Sequence, residues 1–437
     1  EWMEENEPAL LSRIGKCVLK GQIELLVGSW FGAALHLIPD RDAQAQLLIH
    51  SQWLRSRVGP VERSAWLHTG AWDPDLPRRL VRSELRCTML DGELLPRPRG
   101  AHHEPWYVVE RGGPAIAVLP IDPHLSAQIP WGSPRAFGLE LRRRREQGQR
   151  CVTLSISVDS LGLSELAAPQ CWDPQDGQFP LFLQLITRHS TWIRTLSPSA
   201  VLAQLRSGGR IVPYTGTSGE LGRSLLGPEQ GGALQRLRDA ARRRPDSVTR
   251  EAEGFLRGPP LETALLRWDE ANRLHKRMLR ASASLHALRR RVHTRKTPES
   301  ASGAVESAAL RLYRGQGVGV LHDGPGGLIR SGRARHQVWL ALLDAEQSAW
   351  NTVEDRRGRV EVSDYDCDGT KEVLITTQAM QLVLRPACGG GLSEWLIWGL
   401  GNLCNTLTRT RETWYELLES QRGIPQLIGS VRPLVVE

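Results

Sequence analysis

Apolar positions in the first half of the chain fall into short runs separated by stretches of helical period. Residues 23–28, 65–68, 87–90, 151–157, 192–195 and 210–213 read as strands. Residues 7–20, 40–58, 75–83, 135–147, 179–188 and 198–205 repeat their apolar side chains at helical spacing, and Ser197 before Pro198 marks a capped start. Residues 106–110 and 114–119 flank Arg111-Gly112-Gly113, which predicts a hairpin. Strands alternating with helices predict a parallel α/β barrel or open sheet. From Gly227 the strand signal vanishes, and 233–243, 260–291, 302–314 and 333–355 all read as helix. After Gly358 short β-type runs return at 360–362, 372–377, 379–384 and 392–398, split by Asp368-Gly369 and Gly389-Gly390-Gly391. The expected organisation is an α/β domain over 1–226, an all-helical domain over 227–355 and the N-terminal part of a β-domain over 356–437, with no internal repeat.

A chain of 437 residues holds material for two or three domains and a large core. The net charge of +8 comes mostly from arginine, which fits the codon usage of a GC-rich bacterial genome. The arginine clusters at 142–145, 242–244 and 289–291 lie in helix-like stretches and read as solvated faces. No aromatic-rich platform accompanies them, so no nucleic-acid partner is expected. Seven cysteines without a CxxC pair fit free thiols in a reducing cytoplasm. No run approaches the ~18 apolar residues of a membrane span, so a cytoplasmic protein without a membrane partner is expected. The 15 tryptophans outnumber 5 Phe and 5 Tyr. That excess suits sugar-stacking faces or a Trp-rich core, and both stay open.

Residues Ala65-Trp66-Leu67-His68-Thr69-Gly70-Ala71-Trp72-Asp73-Pro74 read as a strand end entering a helix, where barrel enzymes place nucleophiles. The segment resembles the Trp-Leu-x-Glu-x-x-Trp-x-Pro motif of glycoside hydrolase family 57, the α-amylases and 4-α-glucanotransferases. The tryptophans and the proline are present, and Thr69 stands where the glutamate is expected. The likeness continues along the chain. Gly21 to Gly28 followed by Ile38-Pro39-Asp40 resembles the family's second region, with Gly32 and Ala33 in its Glu-Pro positions. Ile156-Ser157-Val158-Asp159-Ser160-Leu161-Gly162 resembles an Asp-Asp-Gly-Glu-Lys-Phe-Gly segment with both aspartates lost. Asn272 to Leu279, Leu312 to Gln316 and Leu321 to Leu328 resemble the family's helical region. Asp364 to Gly369 with Arg385-Pro386 resembles the opening of its C-terminal β-domain.

The resemblance implies an incomplete (β/α)7-type barrel over 1–226, an all-helical domain, and then the start of a β-sandwich. The region with a His-containing motif on the first barrel strand is expected ahead of Glu1. Family members retain anomeric configuration, which takes two carboxyl groups about 5–5.5 Å apart. Thr69 holds the nucleophile position and Ile156 or Ser157 the acid position, and none of them is a carboxylate. His68, next along the strand, is expected to face away from Thr69. Asp73, Asp159 and Glu93 are the carboxylates that could substitute, although Asp73 also suits a cap for the helix that follows. Trp66, Trp72, Asp73 and His322 are the candidate contacts for an α-glucan or maltooligosaccharide; His322 equally suits helix packing.

Asp364, Asp366 and Asp368 look like the start of a calcium loop, but Ile375 occupies the twelfth position where an EF-hand carries Glu. A tight Asp-Gly turn is the plainer reading, and Ca2+ supported by other loops is the alternative. No zinc motif or phosphate loop occurs, so no other cofactor is expected. Three functions follow from these residues: a non-catalytic pseudoenzyme that binds or regulates α-glucan, an active glycosidase or glucanotransferase with relocated carboxylates, or an interaction protein without sugar affinity.

Overall fold

The computed structural model describes residues 2–96, 103–157, 178–243, 255–294, 299–324, 326–350 and 358–406. It divides into two compact units, Glu1–Ser218 and Gly219–Glu437.

The first unit is mixed α/β. Its sheet contains β1 (Ser64–Ala65), β2 (Cys87–Asp91), β3 (Tyr107–Glu110) and β4 (Ala115–Ile121), in the order β1-β2-β4-β3. β1, β2 and β4 run parallel, and β2 pairs with β4 from Cys87↔Ala117 to Asp91↔Ile121. Single parallel bridges extend this ladder at Val27↔Ala65 and Ile121↔Thr153. Parallel segments therefore join in chain order, with helices such as Asp40–Arg57, Leu76–Arg82 and Pro134–Glu146 in the crossovers. β3 and β4 form the predicted hairpin, closed by Gly112 and Gly113 at positive φ. The described residues place Cys87, Met89, Leu119 and Val201 in one apolar cluster and Leu125, Ile129, Phe137 and Phe182 in another.

Several expected strands shrink on inspection of the backbone. Those predicted at 23–28, 151–157 and 210–213 pair through Val27, Thr153 and Arg210 alone. Residues 192–195 form no strand, because Trp192 and Ile193 donate their amides back to His189 and prolong a helix end. The strand predicted to run to His68 stops at Ala65. Glu24 explains how so short a ladder is held. Its Oε1 accepts from Ser64 Oγ at 2.7 Å, and its Oε2 accepts from Ser199 N at 3.0 Å and Ser199 Oγ at 2.6 Å. One carboxylate thereby ties β1 to the start of the Pro198–Gln204 helix.

The second unit packs the helices Asp269–Thr294, Glu299–Gly315 and Gly332–Trp350 together. Its strands β5 (Arg359–Ser363), β6 (Glu372–Thr376), β7 (Met380–Arg385), β8 (Gly391–Ile397) and β9 (Gly401–Asn402) form one antiparallel meander in sequence order. The single helix expected at 260–291 breaks at Trp268, which adopts an extended backbone between Thr263–Arg267 and Asp269–Thr294. Its buried ring lies under the guanidinium of Arg267 at 5.0 Å and of Arg330 at 5.2 Å. Close helix packing uses Gly315, where an added Cβ would stand 2.5 Å from Leu342 Cδ2.

Arg277 lies at the centre of this unit with 0% of its side chain exposed. It donates to Glu346 at 3.1 Å, to Gln381 at 2.8 Å and to Glu394. The ring of Tyr365 lies 5.3 Å from the guanidinium. The glutamates hold the Arg277 pKa well above the usual arginine value despite the desolvation that opposes it. Removing one partner of such a group strands the other charges without water. Arg277→Met should therefore cost about 3–5 kcal/mol, read as a lower urea midpoint; a loss below about 1 kcal/mol would show that the glutamates find other partners.

Candidate functional site

In parallel α/β folds ligands gather at the carboxyl ends of the strands. Here those ends bring together Gly28, the turn at His68 and Thr69, Asp91, and Asp122. His50 closes the first of them: its Nδ1 lies 3.0 Å from both the amide and the carbonyl of Gly28. Burial lowers the His50 pKa, against that backbone hydrogen bond. Trp30 packs on His50 and Trp53.

His68 and Thr69 sit in a turn instead of on an extended strand. Alternation of faces ends with the strand, so both residues line one cavity, together with Ser29, His36, Trp66 and Leu67. The expected opposition of His68 and Thr69 is corrected by this turn. The cavity measures about 10 Å³, room for about one water and far below the roughly 300–1,000 Å³ of a ligand pocket. Thr69 Oγ1 accepts the amide of Ala71 at 3.3 Å, a local turn bond of the kind threonine makes. Gly32 has φ +69° and lies against His68. A Cβ there would stand 3.0 Å from His68 Nε2.

The other candidates separate. Trp66 is half-buried beside the Cys87–Met89–Leu119 cluster. Trp72 is a correction: at 2% exposure it offers no open stacking face, because its backbone pairs with Gly216 and draws the ring into the core. Asp73 Oδ1 accepts the amide of Asp75 at 2.8 Å, just ahead of the Leu76–Arg82 helix. Ile156 packs with Phe137 and Phe182, and Ser157 is exposed. Asp159 lies outside the described residues. His322, in the second unit, is 3% exposed and contributes to its interior. Its neighbour Asp323 ties Arg267 at 3.3 Å to Arg330 at 3.0 Å. Asp368 is paired with Arg385 at 2.6 Å, whereas Asp364 and Asp366 meet Glu372.

Asp91 was not among the expected site residues. It ends β2, caps the turn at Glu93 through a 2.8 Å bond and meets Ser218. Burial, then the neighbouring Glu93, raises its carboxyl to about 6, against the hydrogen bonds from Glu93 and Ser218 and the charge of His124. An Asp closing an apolar run and followed by Gly was the available signal. The Cys87 thiol, pushed up to about 12 by burial and by Glu24, is no nucleophile. The arginines at 142–145 are engaged locally: Arg143 and Arg144 with Glu140, Arg142 with Glu146, and Arg144 also with Asp122. No helix of the described residues is long and apolar enough to cross a membrane. The six described cysteines are all free.

Comparison with known proteins reads the same framework. The profile of Glycosyl hydrolase family 57 matches residues 1–212, and that of Alpha-amylase/4-alpha-glucanotransferase, C-terminal, matches 364–426. The chain carries a glycosyl hydrolase family 57 domain. It is 23% identical over 423 residues to alpha-amylase 1 of Dictyoglomus thermophilum, covering 95% of this chain and 59% of that protein. It is 23% identical over 396 residues to the 4-alpha-glucanotransferase of Thermococcus kodakarensis, covering 90% of this chain and 56% of that one. The crystal structure of 4-alpha-glucanotransferase from Thermococcus litoralis shares the fold at TM-score 0.80 and 20% identity, over 95% of this chain and 61% of that one. The chain thus spans about six tenths of the length of the relatives it matches.

Two consequences of this geometry can be measured. A side chain at position 32 must accept a left-handed backbone and displace His68, so Gly32→Ala should cost about 1–3 kcal/mol; an unchanged melting temperature would show that the turn relaxes freely. Asp91 holds its proton more tightly in the folded state, with a carboxyl at about 6, than in the unfolded chain at about 3.9. Its contribution is complete below pH ~4 and is lost as the pH rises through about 6, by roughly 3 kcal/mol in all. Urea midpoints measured across that window should fall less steeply for Asp91→Asn; parallel curves for the two proteins would rule this out.

Proposed function

We propose that this protein is a non-catalytic member of the α-glucan-processing family, one that binds or regulates glucan without breaking glycosidic bonds. In this reading the parallel ladder belongs to an incomplete (β/α)7-type barrel, and the β5–β9 meander opens a β-sandwich. The observation that carries the proposal is Thr69, which occupies the nucleophile position with its hydroxyl turned to the Ala71 amide in a cavity of about 10 Å³. A retaining glycosyl-enzyme intermediate needs a carboxylate that attacks and then leaves; a sugar bonded to the Thr69 hydroxyl would be as hard to release as the original glycoside, even with His68 in the same cavity. Ile156 in an apolar cluster adds no acid. The named α-amylase and 4-alpha-glucanotransferase relatives support α-glucan or maltooligosaccharide as the partner.

One observation favours a second reading, an active retaining enzyme with relocated carboxylates. Asp91 is a buried carboxyl at about 6 with Glu93 beside it, and a carboxyl that keeps its proton toward neutral pH is what a glycosidase uses as its acid. Asp73 is a weaker candidate, since its Oδ1 is engaged by Asp75.

Chromatography of maltotriose, amylose and glycogen after prolonged incubation separates the two readings. No new chain lengths and no released reducing ends are expected. Products that vanish in an Asp91→Asn/Glu93→Gln variant would establish relocated carboxylates instead. Calorimetry with maltooligosaccharides should give millimolar affinity, about 4 kcal/mol, weakened by Trp66→Ala; absent binding would leave an interaction protein without sugar affinity.

A further inference from the structure

Three carboxylates meet in the loop that joins β5 to β6. Asp364, Asp366 and Glu372 each present an oxygen, and the three oxygens lie within 4.8 Å of one another. Asp366 is 8% exposed and Glu372 1%. Gathering negative charge away from water is unfavourable unless a positive group is shared among the acids. Arg385 supplies that charge only in part, because its closest partner is Asp368 at 2.6 Å and Asp366 lies 3.8 Å away.

The loop's own amides account for two of the three acids. Glu372 Oε2 accepts from the amides of Tyr365 at 2.8 Å and Asp366 at 3.4 Å. Asp364 accepts from those of Asp368 at 3.1 Å and Gly369 at 3.2 Å. The Thr370 amide goes to Asp368. Asp366 Oδ1 is left buried with no hydrogen-bond partner. A loop built only to turn would have paired that oxygen, since an orphaned buried acceptor forfeits its hydration without return.

We propose that Asp364, Asp366 and Glu372 hold a calcium ion on the β5–β6 loop. Oxygens bonded to one Ca2+ at about 2.4 Å are at most about 4.8 Å apart, a spread this group does not exceed. The donors are all hard oxygens, with no His or Cys in the group, which suits calcium over zinc or copper. Counting Asp364 as the first loop position, Glu372 is the ninth and Ile375 the twelfth. The missing twelfth-position carboxylate sets the expected dissociation constant on the order of 10⁻⁴ M, weaker than a sensor EF-hand. Water and loop carbonyls complete the shell.

The site would brace the core of its unit. The Asp366 carbonyl accepts from Asn272 Nδ2 at 2.6 Å, and the adjacent Tyr365 lies against Arg277. A cation on Asp366 therefore fixes the loop onto the Asp269–Thr294 helix.

The test uses the whole chain after EDTA treatment. Terbium luminescence excited through the protein's aromatic rings should appear and be displaced by Ca2+. Millimolar Ca2+ should raise the melting temperature by several degrees and saturate, with Mg2+ giving much less. Asp366→Asn should abolish both effects yet raise the melting temperature in EDTA, because it removes one of the repelling charges. Glu372→Gln should weaken binding, and Asp368→Asn, outside the group, should keep it. Absence of both the terbium signal and the Ca2+ shift would overturn the proposal. So would a shift that survives Asp366→Asn, or an equal loss of stability in that variant with and without Ca2+.

Discussion

A guanidinium without access to water organises the second unit. Arg277 engages Glu346 from one helix and Gln381 and Glu394 from two strands, so a single side chain specifies how sheet and helices meet. Apolar packing alone would tolerate small slips of a strand over a helix, since hydrophobic contact has no direction. Charge does not tolerate them, because a displaced carboxylate leaves its partner unpaired in a medium that cannot solvate it. Arg280 extends the same arrangement to the surface, 3.1 Å from Glu361 on β5. Tyr365, whose hydroxyl proton is held well above the usual tyrosine range by burial and by the nearby glutamates, packs on the guanidinium and links the network to the β5–β6 loop.

The corner at the strand ends is packed as one unit. Gly32 lies against His68, and His68 shares a cavity with Thr69. The left-handed backbone at Gly32 and the short Thr69-to-Ala71 bond both belong to a tight, filled corner. A larger side chain at either position would meet a wall shaped by the other. Non-additivity of this kind is expected where residues act as a unit.

Local chemistry was legible in the sequence where a pattern had one physical cause. The Arg111-Gly112-Gly113 turn with alternating flanks produced its hairpin, and the run at 87–90 became the central strand β2. Features that depend on distant partners were not legible. Trp72 is buried by Gly216, more than a hundred residues along the chain, and no neighbouring residue announces that. The end of β1 at Ala65, which turns His68 and Thr69 to one cavity, is set by pairing with Val27 and β2. Glu372 escaped notice because it lies beyond the Asp-Gly turn and reads as the first residue of a strand. Asp91 escaped because burial, invisible in one dimension, is what raises its carboxyl.

The ladder of the first unit has a consequence for how the chain is made. Val27, β1, β2, β4 and Thr153 join in the order in which they are synthesised. Each strand leaving the ribosome finds its neighbour already exposed, with only one crossover to close. The strands of the second unit also pair in sequence order, but its buried charges do not meet in that way. Arg277 emerges long before Glu346 and waits longer still for Glu394, so its charge stays hydrated until the last strands arrive. The order of synthesis thus suits strand-by-strand growth of the first ladder, whereas the charge network of the second unit can close only after Glu394 has emerged.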